Sequence, residues 1–376
     1  MGGDEVQRGG EGRRPKICVL GAGHGGHAMA AHTAHKGFTV NLFNRDEKRI
    51  WPVQQLGCIE MKGEMEGLGK LNVVTTDIEK ALKDVDVLLV AVPAYGHRYI
   101  AEVCAPHLRD GQIIVLNPGR TGGAIEFRQV LKEKAVSVDV VVCEAETFLY
   151  ACRCVGPGQV HIFRIKNSVP VAALPAFKTV EVMNVLRSII PQYVPTDNVL
   201  RTSLNNMGAI FHPAITLLNA SRIEDTLGDF QFYIDGISPS VSHILEELDR
   251  ERVAVAEALG IRINSARDWL YLAYSAAGEC LYEAIQANHG YKGIKAPITV
   301  HHRYIFEDVP MSLVPVASLG EMLGVETPTV RAIVHLASSL VGRDFWKEGR
   351  TVERLGLKGL SVREIRLMVV AEEEKG

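Results

Sequence analysis

An α/β half followed by an all-helical half is the fold class that this chain predicts, and three observations predict it. A short apolar run, Ile17 to Leu20, breaks into glycines at Gly21, Gly23 and Gly26. Two further runs, Val85 to Val92 and Ile113 to Leu116, are apolar almost throughout rather than alternating, as strands buried on both faces of a parallel sheet are. From Val199 onward the hydrophobic spacing is helical and long, with no convincing strand. The resulting division is a polar tail over 1–14, a dinucleotide-binding domain over 15–197 and a helical domain over 198–376, with the boundary at the punctuation Pro195 to Asn198.

Taken in order, Ile17 to Leu20 is a buried strand that turns onto a helix. The first glycine allows the tight turn, the second allows backbone to approach a diphosphate, and the third allows helix and strand to pack closely. Free amides at the helix start would hold the diphosphate. Phe38 to Phe43 alternates as a second strand, completing a βαβ unit of about 30 residues. The candidate cofactor contacts are therefore Gly21, Gly23, His24, Gly25 and Gly26. Asn44 and Arg45 follow the second strand, where an NAD site usually carries an acid for the ribose hydroxyl. A neutral residue followed by a cation favours NADP(H), since arginine pairs with a 2′-phosphate; Asp46 leaves NAD(H) open.

Residues 56–76 read as hairpin strands with glycine turns, and Ile78 to Leu82 as a short helix. Pro93 ends the Val85 run and so joins the cofactor contacts at a strand's carboxyl end. Ile113 to Leu116 delivers Asn117 and the turn Pro118-Gly119 to the same edge, and Asp139 to Cys143 ends in Glu144 and Glu146. Residues 159–175 add strands, and Lys178 to Ile189 a helix. In the second half, Ser203 to Arg222 is expected to be one apolar helix kinked at His212-Pro213. Val241 to Leu259 is an amphipathic helix capped by Gly260, Trp269 to Ala287 another, and Glu321 to Leu340 a pair interrupted at Pro328.

Composition bounds the partners. In 376 residues, 47% are hydrophobic and 23% charged, and the net charge is −3, which gives no electrostatic case for nucleic acid. No apolar window approaches a bilayer-spanning length, and the chain reads as cytoplasmic. Seven cysteines, an odd number, suit a reducing compartment better than a disulfide framework. His24, His27, His32 and His35 lack carboxylate or thiol company, so they read as helix-start and surface histidines, and no metal is expected. An amphipathic helical half permits a homodimer without requiring one.

These residues together resemble the opine dehydrogenases, the octopine and nopaline dehydrogenase family that includes carboxyethyl-norvaline dehydrogenase. The resemblance rests on the glycine turn, Asn117-Pro-Gly, Glu146-Thr-Phe-Leu-Tyr-Ala-Cys-Arg153, Asn205-Asn-Met-Gly-Ala-Ile-Phe-His-Pro213 and Arg303-Tyr-Ile-Phe-Glu-Asp308. It implies reductive condensation of a 2-oxo acid such as pyruvate with the amine of an amino acid, using NAD(P)H. It also implies His212 as acid/base, Asp308 as its orienting carboxylate and Arg303 as the clamp on the oxo-acid carboxylate, roles that suit their side chains. Asn117, Glu146 and Cys152 are the remaining substrate contacts, the last two facing the amino-acid side chain. Leu149 and Tyr150 replace the Pro-Trp of octopine dehydrogenase, so the amino acid stays open.

Two other readings compete. A glycerol-3-phosphate dehydrogenase or ketopantoate reductase type would need a catalytic lysine in an apolar helix, and none is evident. A non-catalytic NADP(H)-binding regulator would keep the glycine turn but need not keep His212, Arg303 and Asp308.

Overall fold

Alternation within single strands explains how the chain builds two cores on one sheet. The computed structural model describes residues 13–371. Its strands are β1 (Ile17–Leu20), β2 (Val40–Phe43), β3 (Cys58–Gly63), β4 (Gly67–Lys70), β5 (Val73–Thr75), β6 (Val87–Val90), β7 (Ile113–Leu116), β8 (Val141–Ala145), β9 (Tyr150–Gly156), β10 (Gln159–Ile165), β11 (Val169–Leu174) and β12 (Tyr193–Pro195). Eight of them form one sheet in the order β12-β11-β8-β7-β6-β1-β2-β5. The run from β8 to β5 is parallel, and β11 joins β8 antiparallel. In β1, Ile17 and Val19 enter the core beneath the first helix, His24–His35, while Cys18 and Leu20 enter the core shared with the helical half. Both faces are covered, which is why these strands read as unbroken apolar runs.

The remaining strands make a smaller sheet, β4-β3-β10-β9, that lies against the first helix. That helix is thus buried on two sides and is built from small residues; a Cβ at Gly69 would stand 2.4 Å from the Ala31 carbonyl oxygen. The burial corrects the expectation of surface histidines. His27 and His32 are buried, and His32 Nδ1 lies 2.8 Å from the Tyr150 hydroxyl, with burial pushing its imidazole down to about 4. Strand β9, which carries Cys152 and Cys154, was not foreseen.

Two expected helices are broken. Ser203 to Arg222 is divided among Val199–Leu204, Gly208–Leu218 and Ala220–Thr226, because asparagine side chains take over the backbone at the first break. Asn206 Oδ1 accepts from the Gly208 N–H at 3.2 Å, and Asn205 Oδ1 from the Asn264 N–H at 3.2 Å. Trp269 to Ala287 is divided into Ala266–Tyr274 and Leu281–Ala287, with Ser275 in the left-handed region at φ +56°. The later pair is Val314–Leu323 and Pro328–Val341, Pro328 opening the second helix rather than interrupting it. The expected tail over 1–14 lies outside the described residues as far as residue 12; Arg13 pairs with Asp86 at 3.1 Å.

The helical half is bolted to the sheet by Arg350. Fully buried, it donates to Glu126 at 2.6 Å, to the Gly119 and Thr121 carbonyls at 2.9 and 3.2 Å and to the Ala94 carbonyl at 3.1 Å. Its last partner is His97 Nδ1 at 2.9 Å, an imidazole that burial, then Arg350, push down to about 3. No helix among the described residues is long and apolar enough to cross a membrane.

Candidate active site

Parallel strands send their carboxyl ends to one edge, and there β1, β2, β6 and β7 open onto a cleft of about 780 Å³. Gly21, Gly23, His24 and Gly25 line it, with Asn44, Arg45, Pro93, Asn117, Cys152 and, from the helical half, Arg303 and Glu307. The glycines have separate reasons to be glycine. Gly21 sits at φ +115°, a Cβ on Gly26 would stand 1.8 Å from the Gly21 carbonyl oxygen, and one on Gly25 would meet the Phe148 ring at 2.4 Å. At Gly23 nothing lies within 4 Å, so the space above the helix start is open. No side chain caps that helix and its first turn holds no acid, leaving its amides free for an anion. Gly26 itself packs against Gly21 rather than lining the cleft.

At the nucleotide end, Asn44 is committed to structure: its Oδ1 accepts from the Ala22 N–H at 3.1 Å. Asp46 caps the helix Glu47–Leu56 by accepting from the Lys48 N–H at 3.0 Å. Arg45 is exposed, its guanidinium 5.3 Å from the Tyr99 ring centre. Arg49, in the first turn of the helix Glu47–Leu56, also lines the cleft and was not singled out from the sequence. His24 Nδ1 accepts from the Cys154 N–H at 3.0 Å, and burial, then Arg153, Arg49 and Arg303, lower its pKa. Burial pushes the Cys152 thiol up to about 12.

Deeper in, the helix Gly208–Leu218, which runs through Pro213, presents His212 to three partners. Its Nδ1 lies 2.8 Å from Asp308 Oδ2 and its Nε2 3.1 Å from the Tyr233 hydroxyl, while its ring stacks on Tyr304 with centres 4.0 Å apart. Acceptance by a carboxylate assigns the proton to Nδ1 and leaves Nε2 as the exchanging nitrogen. Burial holds the Tyr233 hydroxyl well above its usual pKa, so it stays a donor. Fully buried Asp308 is also held by Arg120, whose guanidinium lies 3.0 Å from Oδ1. Arg120 further reaches Glu307 at 3.4 Å and Asn206 at 3.1 Å. Glu307 accepts from the Ala94 N–H at 3.1 Å and pairs with half-exposed Arg303 at 2.7 Å. Burial alone would raise the Glu307 carboxyl, but Arg120 and Arg303 hold it low.

Arg303 and Asp308, out of phase in sequence, are thus joined through Glu307 and Arg120. The short helix Arg303–Phe306 and the wide turn Val309–Leu313 make this possible. Neither Arg120, Glu307 nor Tyr233 was singled out from sequence. Asn117 reaches the cleft, but its amide is spent inward, donating to the Val115 carbonyl at 2.9 Å and accepting from the Tyr193 hydroxyl at 2.5 Å. Glu146 lies off the cleft lining; burial raises its pKa against a hydrogen bond from Asn205. Half-buried Lys166 donates to Thr147 at 2.6 Å and is pushed down to about 8 by burial, then by Arg120, with Glu146 opposing.

Comparison with known proteins places these residues in context. Residues 195–341 match the family model for the NAD/NADP octopine/nopaline dehydrogenase alpha-helical domain, and residues 16–142 that for the NAD-dependent glycerol-3-phosphate dehydrogenase N-terminus. An opine dehydrogenase of Arthrobacter sp. (strain 1C) is 44% identical over 353 residues, which cover 94% of this chain and 98% of that one. In fold, the chain is similar to octopine dehydrogenase in complex with NADH and L-arginine, with a TM-score of 0.77 at 22% identity over 96% of this chain and 99% of the other. It is also similar to NADP+-bound yersinopine dehydrogenase, with a TM-score of 0.67 at 15% identity over 95% and 98% of the two chains.

Proposed function

The chain belongs to the opine dehydrogenase family, and from that premise we propose that it condenses a 2-oxo acid, such as pyruvate, with the amine of an amino acid and reduces the product with NADPH. The observation that carries the reading is the His212–Asp308 pair, 2.8 Å apart, beside a cleft with a free helix start and a guanidinium at its inner end. The open space at Gly23 and the uncapped helix fit a dinucleotide diphosphate, and the cofactor supplies hydride when bound.

Arg303 has donors beyond the one engaged by Glu307, and these suit the planar carboxylate of the oxo acid. Attack of the neutral amine on the oxo carbon expels one water and leaves an imine. His212 Nε2 exchanges the protons this requires, first releasing the amine from its ammonium form and then protonating the departing oxygen. Asp308 keeps the ring oriented and compensates imidazolium. Hydride then reaches the imine carbon and the nitrogen ends as a secondary amine. Glu146 and Cys152 remain our candidates for the amino-acid side chain.

The preference for NADP(H) is supported by two arginines, Arg45 and Arg49, at the position where Asp46 is already used as a helix cap. Seven free cysteines among the described residues support a cytoplasmic setting. Oxidation of NADPH and NADH with pyruvate against a panel of amino acids tests the reaction. Replacing His212 with alanine is expected to abolish turnover while cofactor binding persists; unchanged turnover would overturn the assignment.

A further inference from the structure

We propose that Arg120, supplied by the nucleotide half, is a positioning residue of the His212–Asp308 pair: it shares the Asp308 carboxylate and so weakens that carboxylate's hold on imidazolium. The proposal rests on the reading of His212 as the proton-exchanging group.

Each Asp308 oxygen has its own cation-bearing neighbour, Oδ2 facing His212 Nδ1 at 2.8 Å and Oδ1 facing Arg120 at 3.0 Å. With Asp308 alone, a buried carboxylate against imidazole would favour the charged ring strongly. The guanidinium offsets this. Local structure is built to hold it there. Arg120 takes φ +60°, a left-handed conformation uncommon outside glycine, at the turn after β7. Gly208, at the start of the helix that carries His212, leaves room that a side chain would fill: a Cβ there would lie 2.5 Å from an Arg120 nitrogen. Because Arg120 follows a strand of the sheet and Asp308 belongs to the helical half, the charge balance forms only when the two halves are docked.

The groups facing His212 leave few rivals for this effect. Asp308, Glu307, Arg303, His302, Tyr304 and Tyr233 surround it, besides Arg120. Burial, then Arg303 and His212, push His302 down to about 4, so it is neutral at working pH. Burial also keeps both tyrosines protonated.

The test reads the imidazole directly. An NMR titration of nitrogen-labelled histidine, with the His212 signal identified by its loss in His212→Asn, compares the intact protein with Arg120→Gln and Arg120→Lys. Removing the cation is expected to raise the His212 midpoint by about one unit, and lysine to restore most of it. In the oxidative direction, where the neutral base is required, turnover of Arg120→Gln one unit below the original midpoint falls about tenfold. An unchanged midpoint overturns the proposal. Should Arg120→Gln fail to fold, Arg120→Met removes the same cation with closer shape, and an unchanged midpoint overturns the proposal equally. The titration is independent of turnover, so failure of every oxo-acid and amine pair would sink the opine reading and leave this result standing on its own.

Discussion

The proposed preference for NADP(H) rests on two exposed arginines, and their removal gives the sharpest forecast. The 2′-phosphate of NADP(H) carries a charge of about −1.5 to −2 near neutral pH. A unit pair 4 Å apart near a protein surface is worth about 4 kcal/mol at an effective dielectric of 20. Arg45 and Arg49 are both exposed, and screening and side-chain entropy reduce this to about 1 kcal/mol each. Arg45→Ala is therefore expected to lower kcat/KM for NADPH roughly fivefold, and Arg45→Ala with Arg49→Ala further but by less than about thirtyfold, since two charges that share one phosphate do not add fully. NADH should lose less than about twofold, because the Asp46 carboxylate is held by the Lys48 N–H at 3.0 Å and is not recruited to the ribose. Initial rates with each reduced cofactor, at low and moderate salt, supply the comparison. Equal losses with both cofactors, or an intact enzyme that prefers NADH, would refute the reasoning.

Two further expectations concern stability. Arg350→Met leaves Glu126 buried with one of its two guanidiniums gone, the other being Arg354, and should cost about 3–5 kcal/mol in urea unfolding; a loss under about 1 kcal/mol would remove Arg350 from its role as bolt. Glu144 is buried beneath Thr202, Ser203 and the Ala124 N–H, and burial pushes its carboxyl up to about 7 despite those three donors. A carboxyl raised above its unfolded value contributes stability that is complete below that unfolded value and disappears as pH rises through about 7. Thermal unfolding should accordingly show stability declining between about pH 5 and 8 by about 2–3 kcal/mol, and Glu144→Gln should flatten the decline.

Much of the nucleotide half was legible because its signals are local. The glycines of 21–26 and the apolar strands each declare themselves within a few residues, and the strands' parallel order brings Asn44, Pro93 and Asn117 to one edge without further information. What stayed hidden depends on distance along the chain. Arg120 and Glu307 are 187 residues apart, and their meeting is a property of docking between halves that no spacing encodes. Glu307 stood inside the motif that drew attention to Arg303 and Asp308, yet its function as the link between them required three dimensions. The break at Asn205–Met207 was missed for a different reason: apolar periodicity continues across it, and the asparagines that interrupt it act through their side chains.

The smaller sheet over the first helix has a kinetic consequence. Its two hairpins are joined by a parallel pairing in which Glu60 stands opposite Gln159, so closing it draws together segments about 100 residues apart in sequence. The β1–helix–β2 unit beneath needs only 17–43 and can assemble early. During refolding, helical signal should therefore return before nucleotide capture does, and the lag between them measures the time the chain takes to close the smaller sheet against the first helix.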